Sequence, residues 1–437
     1  MKVRVESSRI IKPLYDQVNN PPNPSTKDYI PLSVFDKITY DAHIAIIYAY
    51  QPPTPPNATL ELGLRKALSV YREWAGRLSK DEPVILLNDA GVRFVEASID
   101  VQLDQVMPLR PSSFLLTLHP NLQGIDELVQ VQVTRFTCGS IVVGFTAHHL
   151  VADGHATSNF LVAWGQACRG LEIHPLPLHD RTTFFKPRQP PRIEFEHRGI
   201  EFMNQKLQKI NSVSDDENIE GVVVEQFHFS LGFLAKLKSK ASSTNGNNKP
   251  YSTFESLVAH LWKAITKARG LSSYQTTNVK ISVNGRMRMS PRIPNEYFGN
   301  LVLWAFPTSK VKDLLREPLP YSAKLIHETV TKVNDNYFRS FIDFANSKAK
   351  EENLIPTADM NKAIECPNLE VSSWLRFPFY DLDFGGGCPY VFMPSYYPTE
   401  GTIILLPSFI GDGSIDAYIS LFEDHLASFK QICYALD

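Results

Sequence analysis

Hydrophobic and polar positions alternate along this chain in two rhythms, and their succession predicts a mixed α/β protein. The opening run MKVRVESSRIIKP alternates charge with Val and Ile, which reads as an edge strand rather than a secretory apolar core. Residues 31–75 give a strand, a Pro-rich loop over Gln51–Pro56, and a helix carrying Leu60, Leu62, Leu64, Ala67, Leu68, Tyr71 and Trp74. Short strands punctuated by Gly and Asn fill 84–150, ending in the apolar run IVVGFTAH over 141–148. Phe160, Leu161, Trp164 and Cys168 then recur at helical spacing, with Gly170 placed to stop the helix.

Proline is dense from Pro175 to Pro191, and Ser212–Gly221 is acidic and polar, so this stretch reads as an exposed crossover between two halves. Beyond it lie a strand over Val222–Phe229, a basic helix over Leu231–Ser242 and a mobile loop over Asn245–Lys249. Tyr251–Arg269 follows as a helix with Leu257, Leu261 and Ile265 on one face. Helices are expected again near 322–349 and 414–434, with Thr402–Leu406 as a core strand. The division is 1–180, a linker 181–221 and 222–437, with a segment near 370–400 packing back on the first half.

Two segments carry chemistry. HHLVADG over 148–154 delivers a histidine pair from the end of a buried strand, then an aspartate and glycine at the start of a helix. His149 therefore sits on rigid structure, and Asp153 lies near the positive end of a helix, where a carboxylate is favoured. His148, adjacent on a strand, points to the opposite face and reads as structural. The second segment, DLDFGGGCP over 381–389, joins Asp383 to three successive glycines, Gly385 and Gly387 among them, which open backbone conformations closed to other residues.

Together these segments resemble the HxxxDG and DFGWG signatures of the plant BAHD acyltransferases. The resemblance runs end to end and includes VNGRMR at 283–288 and YFGN at 297–300. HxxxDG alone is weak, because peptide-synthesising condensation domains share it; the pair at this spacing is specific. One departure is Gly386, where the family has tryptophan. The resemblance implies two chloramphenicol-acetyltransferase-like α/β domains with a solvent channel at their interface. It implies His149 as general base, since imidazole titrates near working pH. Asp153 would point away from the ring and pair with Arg286, shaping the site. With no GxSxG and no cysteine in a motif, direct transfer in a ternary complex is expected rather than a covalent intermediate. The co-substrate would be an acyl-coenzyme A such as p-coumaroyl-CoA, with no permanently bound cofactor and no metal. Its contacts are expected at Ser252, Thr253 and Arg286, and either its phosphates or solvent meets Lys236, Lys238, Lys240 and Lys249.

Bulk properties narrow this further. At 437 residues the chain exceeds one ordinary core, and 43% apolar with 21% charged residues is usual for a globular enzyme. A net charge of −2 and the absence of a basic patch interleaved with aromatics argue against nucleic acid. Five cysteines without CxxC pairing fit reduced thiols rather than disulfides or zinc. No apolar run approaches the ~18 residues of a membrane span. A cytoplasmic monomer is expected, the second term on family grounds.

The acceptor side is the most distinctive. Around CPNLEVSSW at 366–374 the chain resembles family members that esterify shikimate or quinate, but Glu370 replaces a glycine and Asp359 falls where they carry a carboxylate-clamping arginine. Either these are ordinary surface acids or the pocket has reversed charge and takes a cation. Shared runs YREWAGRL (71–78), ILLNDAGVRFVEA (85–97) and SFIDFANS (340–347), and DFGGG itself, resemble the agmatine hydroxycinnamoyltransferases of the family. There an acid at the position of Glu370 holds a guanidinium, and a second acid stands where this chain has Ser372. Ser372 and Trp374 match oxyanion-side positions of the shikimate enzymes. Phe377, Phe379 and Tyr380 offer a platform for the acyl ring or belong to the core. The expected activity is transfer of a hydroxycinnamoyl group to a cationic amine, agmatine first. Alternatives are putrescine, tyramine or tryptamine, O-acylation of shikimate or quinate, and a catalytically silent binding protein.

Overall fold

The computed structural model describes residues 2–15, 28–121, 125–204, 221–243, 249–347, 354–358 and 365–436. Two large sheets organise them. The first runs in the order Arg4–Ile11, Val92–Ile99, Val129–Phe136, Ile141–His148, His43–Tyr50, Val391–Pro394. Arg4–Ile11 is thus an edge strand, as its half-polar sequence requires. At the other edge, Val391–Pro394 comes from late in the chain and pairs antiparallel with His43–Tyr50.

The second sheet runs Val222–Phe229, Ile415–Phe422, Thr402–Pro407, Leu369–Ser373, Thr276–Asn284, Val302–Ala305, with Thr308–Lys310 pairing on Thr276–Asn284. Its central strands are covered on both faces. Ile403 and Leu405 enter the core shared with helices Leu231–Ala241 and Thr253–Ala268, while Ile404 and Leu406 enter the core of the first sheet. Burial on both faces explains an uninterrupted apolar run where a half-exposed strand would alternate.

Several expectations need correction. The segment 414–434 is not one helix: Ile415–Phe422 is a strand, followed by helix Glu423–Ile432. Ile415, Ala417, Ile419 and Leu421 share one face at period two, and pairing with strands on either side outweighed helix propensity. The helix near 322–349 is two, Leu319–Lys332 and Asp335–Ser347. The helix Asn57–Val70 leaves Leu62 exposed and buries Gly63, and Trp74 lies in a separate short turn. The proline-dense stretch is not simply exposed, since Arg181, Phe185, His197 and Phe202 are buried. Its acidic part over 212–220, the loop residues 244–248 and Asp359 lie outside the described residues.

Candidate active site

The chain turns sharply between the end of strand Ile141–His148 and helix Gly154–Cys168, and a turn leaves backbone carbonyls without ladder partners. Distant groups satisfy them. Asn300 donates through Nδ2 to the carbonyls of His149 at 2.9 Å and Leu150 at 3.3 Å, and Arg181 donates to that of Val151 at 2.7 Å. Asp36 holds both donors, accepting from Asn300 Nδ2 at 2.9 Å and Arg181 at 3.0 Å. The His149 amide donates to Ala42 at 2.8 Å. The backbone beneath the imidazole is fixed from three directions.

The His149 side chain is partly exposed, with Thr39 Oγ1 3.1 Å from Nδ1. Burial pushes the imidazole below its ordinary value of 6.5, against weaker opposition from Asp153 and Asn300, so it is neutral at pH 7. His148 packs edge-on against His43 with ring centroids 4.7 Å apart, and burial takes it down to about 3. It is structural.

Asp153 caps its helix, accepting from the Ala156 amide at 2.9 Å. It also receives both guanidinium arms of Arg286 at 2.8 and 3.1 Å, and the Leu301 amide at 3.0 Å. Burial alone would raise this carboxyl; Arg286 outweighs it and holds the group below its ordinary value. Arg286 further donates to the carbonyls of Tyr297 and Gly299 and is fully buried. The expected contact of Arg286 with coenzyme A therefore fails: its guanidinium has no accessible face. Gly154 owes its place to packing, since a Cβ there would come 2.7 Å from the Phe377 ring.

Glu370 projects from strand Leu369–Ser373 toward the same region. Tyr40 connects the two: its ring stands edge-on to His149 at 5.8 Å, and its hydroxyl donates to Glu370 Oε1. Lys280, the register partner of Glu370 on the neighbouring strand, lies 3.3 Å from the same oxygen. Among the described residues no hydrogen bond reaches Glu370 Oε2. Ser372, two residues on, accepts from Trp374 Nε1 at 3.0 Å and keeps its own hydroxyl proton for another acceptor. Phe379 stacks on Phe392 at 4.5 Å and belongs to the core, whereas Phe377 and Tyr380 are partly exposed.

Thr39, Tyr40, Asp36 and Lys280 escaped the reading of the sequence. Lys280 carried a signal: Val279, Ile281 and Val283 alternate into the core, which puts Lys280 on the opposite face.

Asp383 accepts the amides of Gly385 at 2.7 Å and Gly387 at 2.9 Å and meets Arg169 at 3.3 Å. Gly385 and Gly387 take φ of +106° and +101°, the left-handed region that favours glycine. At Gly386 a Cβ would meet the Pro53 carbonyl oxygen at 2.2 Å, so the Pro-rich loop lies against the position where the family carries tryptophan.

Away from this region, a cavity of about 1080 Å³ is lined by Lys238, Lys249, Tyr251, Ser252, Glu255 and His327, among others. Ser252 caps helix Thr253–Ala268 reciprocally with Glu255, whose carboxylate also meets His327 at 2.7 Å. That helix start already holds an anion of its own. Lys240 donates to the Leu436 carbonyl, and Lys236 is exposed. All five cysteines are free. Among the described residues no helix is long and apolar enough to cross a membrane, and none group as metal ligands.

The chain matches the Transferase family over residues 1–436. It is 53% identical over 443 residues to agmatine coumaroyltransferase-1 of Hordeum vulgare, covering all of both chains. It is 48% identical over 460 residues to putrescine hydroxycinnamoyltransferase of Oryza sativa subsp. japonica, again over the full length of both. Vinorine synthase shares the fold with a TM-score of 0.73 over 98% of this chain and 96% of that one, at 24% identity. A TRI101 from F. graminearum, complexed with coenzyme A and T-2 mycotoxin, gives 0.77 over 92% and 97%, at 17% identity. With both motifs in place, the full-length match identifies the chain as a member of the BAHD acyltransferase family.

Proposed function

We propose that this protein transfers a hydroxycinnamoyl group from its coenzyme A thioester to agmatine, by general-base catalysis in a ternary complex. The observation that carries this reading is Tyr40, which spans from the His149 ring to Glu370. One tyrosine side chain between a neutral base and a carboxylate is a separation suited to agmatine, whose amine and guanidinium are four methylenes apart. The guanidinium takes the open Oε2 of Glu370 while the amine faces His149 Nε2. The free amine titrates near 10.4, so presenting it neutral at pH 7 costs about 4–5 kcal/mol, which the partly desolvated site and His149 offset. The neutral amine attacks the thioester carbonyl, His149 accepts the ammonium proton, and Ser372 donates to the oxyanion. The C–S bond then breaks, and the imidazolium returns the proton to the leaving thiolate of coenzyme A.

Asp153 and Arg286 take no proton; they fix the turn that aims His149. Trp374 orients Ser372 through its indole N–H, and the Asp383 loop supports the helix behind the site. The cavity lined by Lys238, Lys249 and Ser252 is proposed to receive the phosphate end of coenzyme A, with the two lysines, rather than the helix start that Glu255 already caps, supplying charge. The channel would pass between residues 1–180 and 222–437, the two lobes of a cytoplasmic monomer.

The test is a panel of agmatine, putrescine, tyramine, tryptamine and shikimate against p-coumaroyl-CoA, read by mass spectrometry. Agmatine is expected to give the highest kcat/KM; preference for shikimate would overturn the reading. Putrescine is the second candidate, on the 48% identity to the rice enzyme named for it.

A further inference from the structure

Glu370 already has a cation. The Lys280 ammonium lies 3.3 Å from its Oε1 and donates to the Tyr40 hydroxyl. It also sits 4.7 Å from the Tyr40 ring centroid and 4.9 Å from that of Trp304. An ammonium set beside two aromatic rings and a carboxylate occupies a cation site, and here the chain's own lysine fills it. Both partners are largely withdrawn from solvent, with side-chain exposures of 13% for Lys280 and 19% for Glu370. Strand register sets them side by side, so the arrangement does not depend on a flexible loop.

This bears directly on acceptor choice. With Lys280 present, the acceptor end carries no net charge from this pair; without it, the charge is that of one carboxylate. A guanidinium or ammonium bound at Oε2 must approach Lys280 closely. Two like charges ~6 Å apart at an effective dielectric near 20 repel enough to change affinity roughly a hundredfold, and screening brings this to about tenfold.

We propose that Lys280 is a specificity-determining residue: an internal cation that competes for Glu370 and weakens the hold on acceptors bearing a second positive charge. The inference rests on the assignment of Glu370 to the acceptor's far cation. Lys280 acts on selection and takes no part in proton transfer. Acceptors such as tyramine, whose only charged group is the reacting amine, escape most of the penalty.

The experiment compares the wild-type enzyme with Lys280→Met and Lys280→Arg. Steady-state kinetics with agmatine and with tyramine are measured under identical buffer and salt, and melting temperatures are recorded. Lys280→Met is expected to raise the agmatine-to-tyramine ratio of kcat/KM by about tenfold, through the agmatine KM more than through kcat. Lys280→Arg, which keeps the charge, should stay near the wild-type ratio. An unchanged or falling ratio in a folded Lys280→Met protein overturns the proposal and makes Lys280 a support for Glu370. If Lys280→Met fails to fold, Lys280→Gln carries the same test; failure of both also overturns it, because a residue that only selects substrates is dispensable for folding. The broader reading fails separately, if the wild type shows no preference for agmatine or putrescine over tyramine.

Discussion

Two acid–base pairs flank His149, and they are built differently. Asp153 and Arg286 are fully buried, share two hydrogen bonds, and spend their remaining capacity on backbone groups at 153–156 and 297–301. Glu370 and Lys280 are only mostly buried, meet at a single oxygen, and leave Oε2 of the carboxylate open. A fully buried pair whose carboxylate oxygens are both taken, with only Arg286 Nε left without a partner, holds structure. One whose carboxylate keeps an oxygen that no hydrogen bond reaches among the described residues is able to bind something else. Burial and completeness, not the identity of the charges, separate a strut from a receptor.

The contrast breaks most severely at the first pair. Arg286→Leu strands a buried carboxylate and should cost about 3–5 kcal/mol in urea denaturation, with activity lost alongside. Asp153→Asn combined with Arg286→Leu should recover part of that loss, because no charge is left unpaired. His149→Ala sharpens the contrast from the other side: kcat should fall ~10²–10⁴-fold while the melting temperature holds, since both pairs survive. Gly154→Ala forces a methyl onto Phe377 and should cost about 1–3 kcal/mol by overpacking. Glu370→Gln should move stability by less than about 1 kcal/mol yet raise the agmatine KM about tenfold, leaving tyramine nearly unaffected.

The same contrast can be sharpened by pH, without any substitution. Because burial lowers the His149 value below 6.5, the acid limb of kcat should lie below pH 6.5, not near 7. His148 and His119, each taken to about 3 by burial, are neutral when folded and bind protons when unfolded. Stability from each is therefore complete above pH 6.5 and declines below it by about 1.4 kcal/mol per pH unit, which thermal melts across pH 4–8 will register.

The placement of His149 and Asp153 was legible because one strand end and one turn carry both, whereas Arg286 and Glu370 were singled out only through the resemblance to the family. Thr39, Tyr40 and Asp36 were not, because they act across long chain separations and their own segment has no periodicity to mark them. Lys280 was half legible: alternation gave its face but not its neighbour, which depends on the parallel register of two strands about ninety residues apart. The strand Ile415–Phe422 was misread because an apolar run of that length fits either period until its partners are known. The triple glycine showed where backbone freedom was needed, but not that Pro53 would fill the place of the family's tryptophan.

The return of Val391–Pro394 to the first sheet has a consequence for dissecting this molecule. Severing the chain at the crossover would not yield two independent halves. The N-terminal piece would lose its terminal strand and expose the unpaired backbone of His43–Tyr50, six of whose eight residues are buried, as a sticky edge. The C-terminal piece would carry an orphaned strand with no sheet to join. Fragment complementation, or chimaeras that exchange halves between relatives, should keep residues 391–394 with the N-terminal partner they pair with.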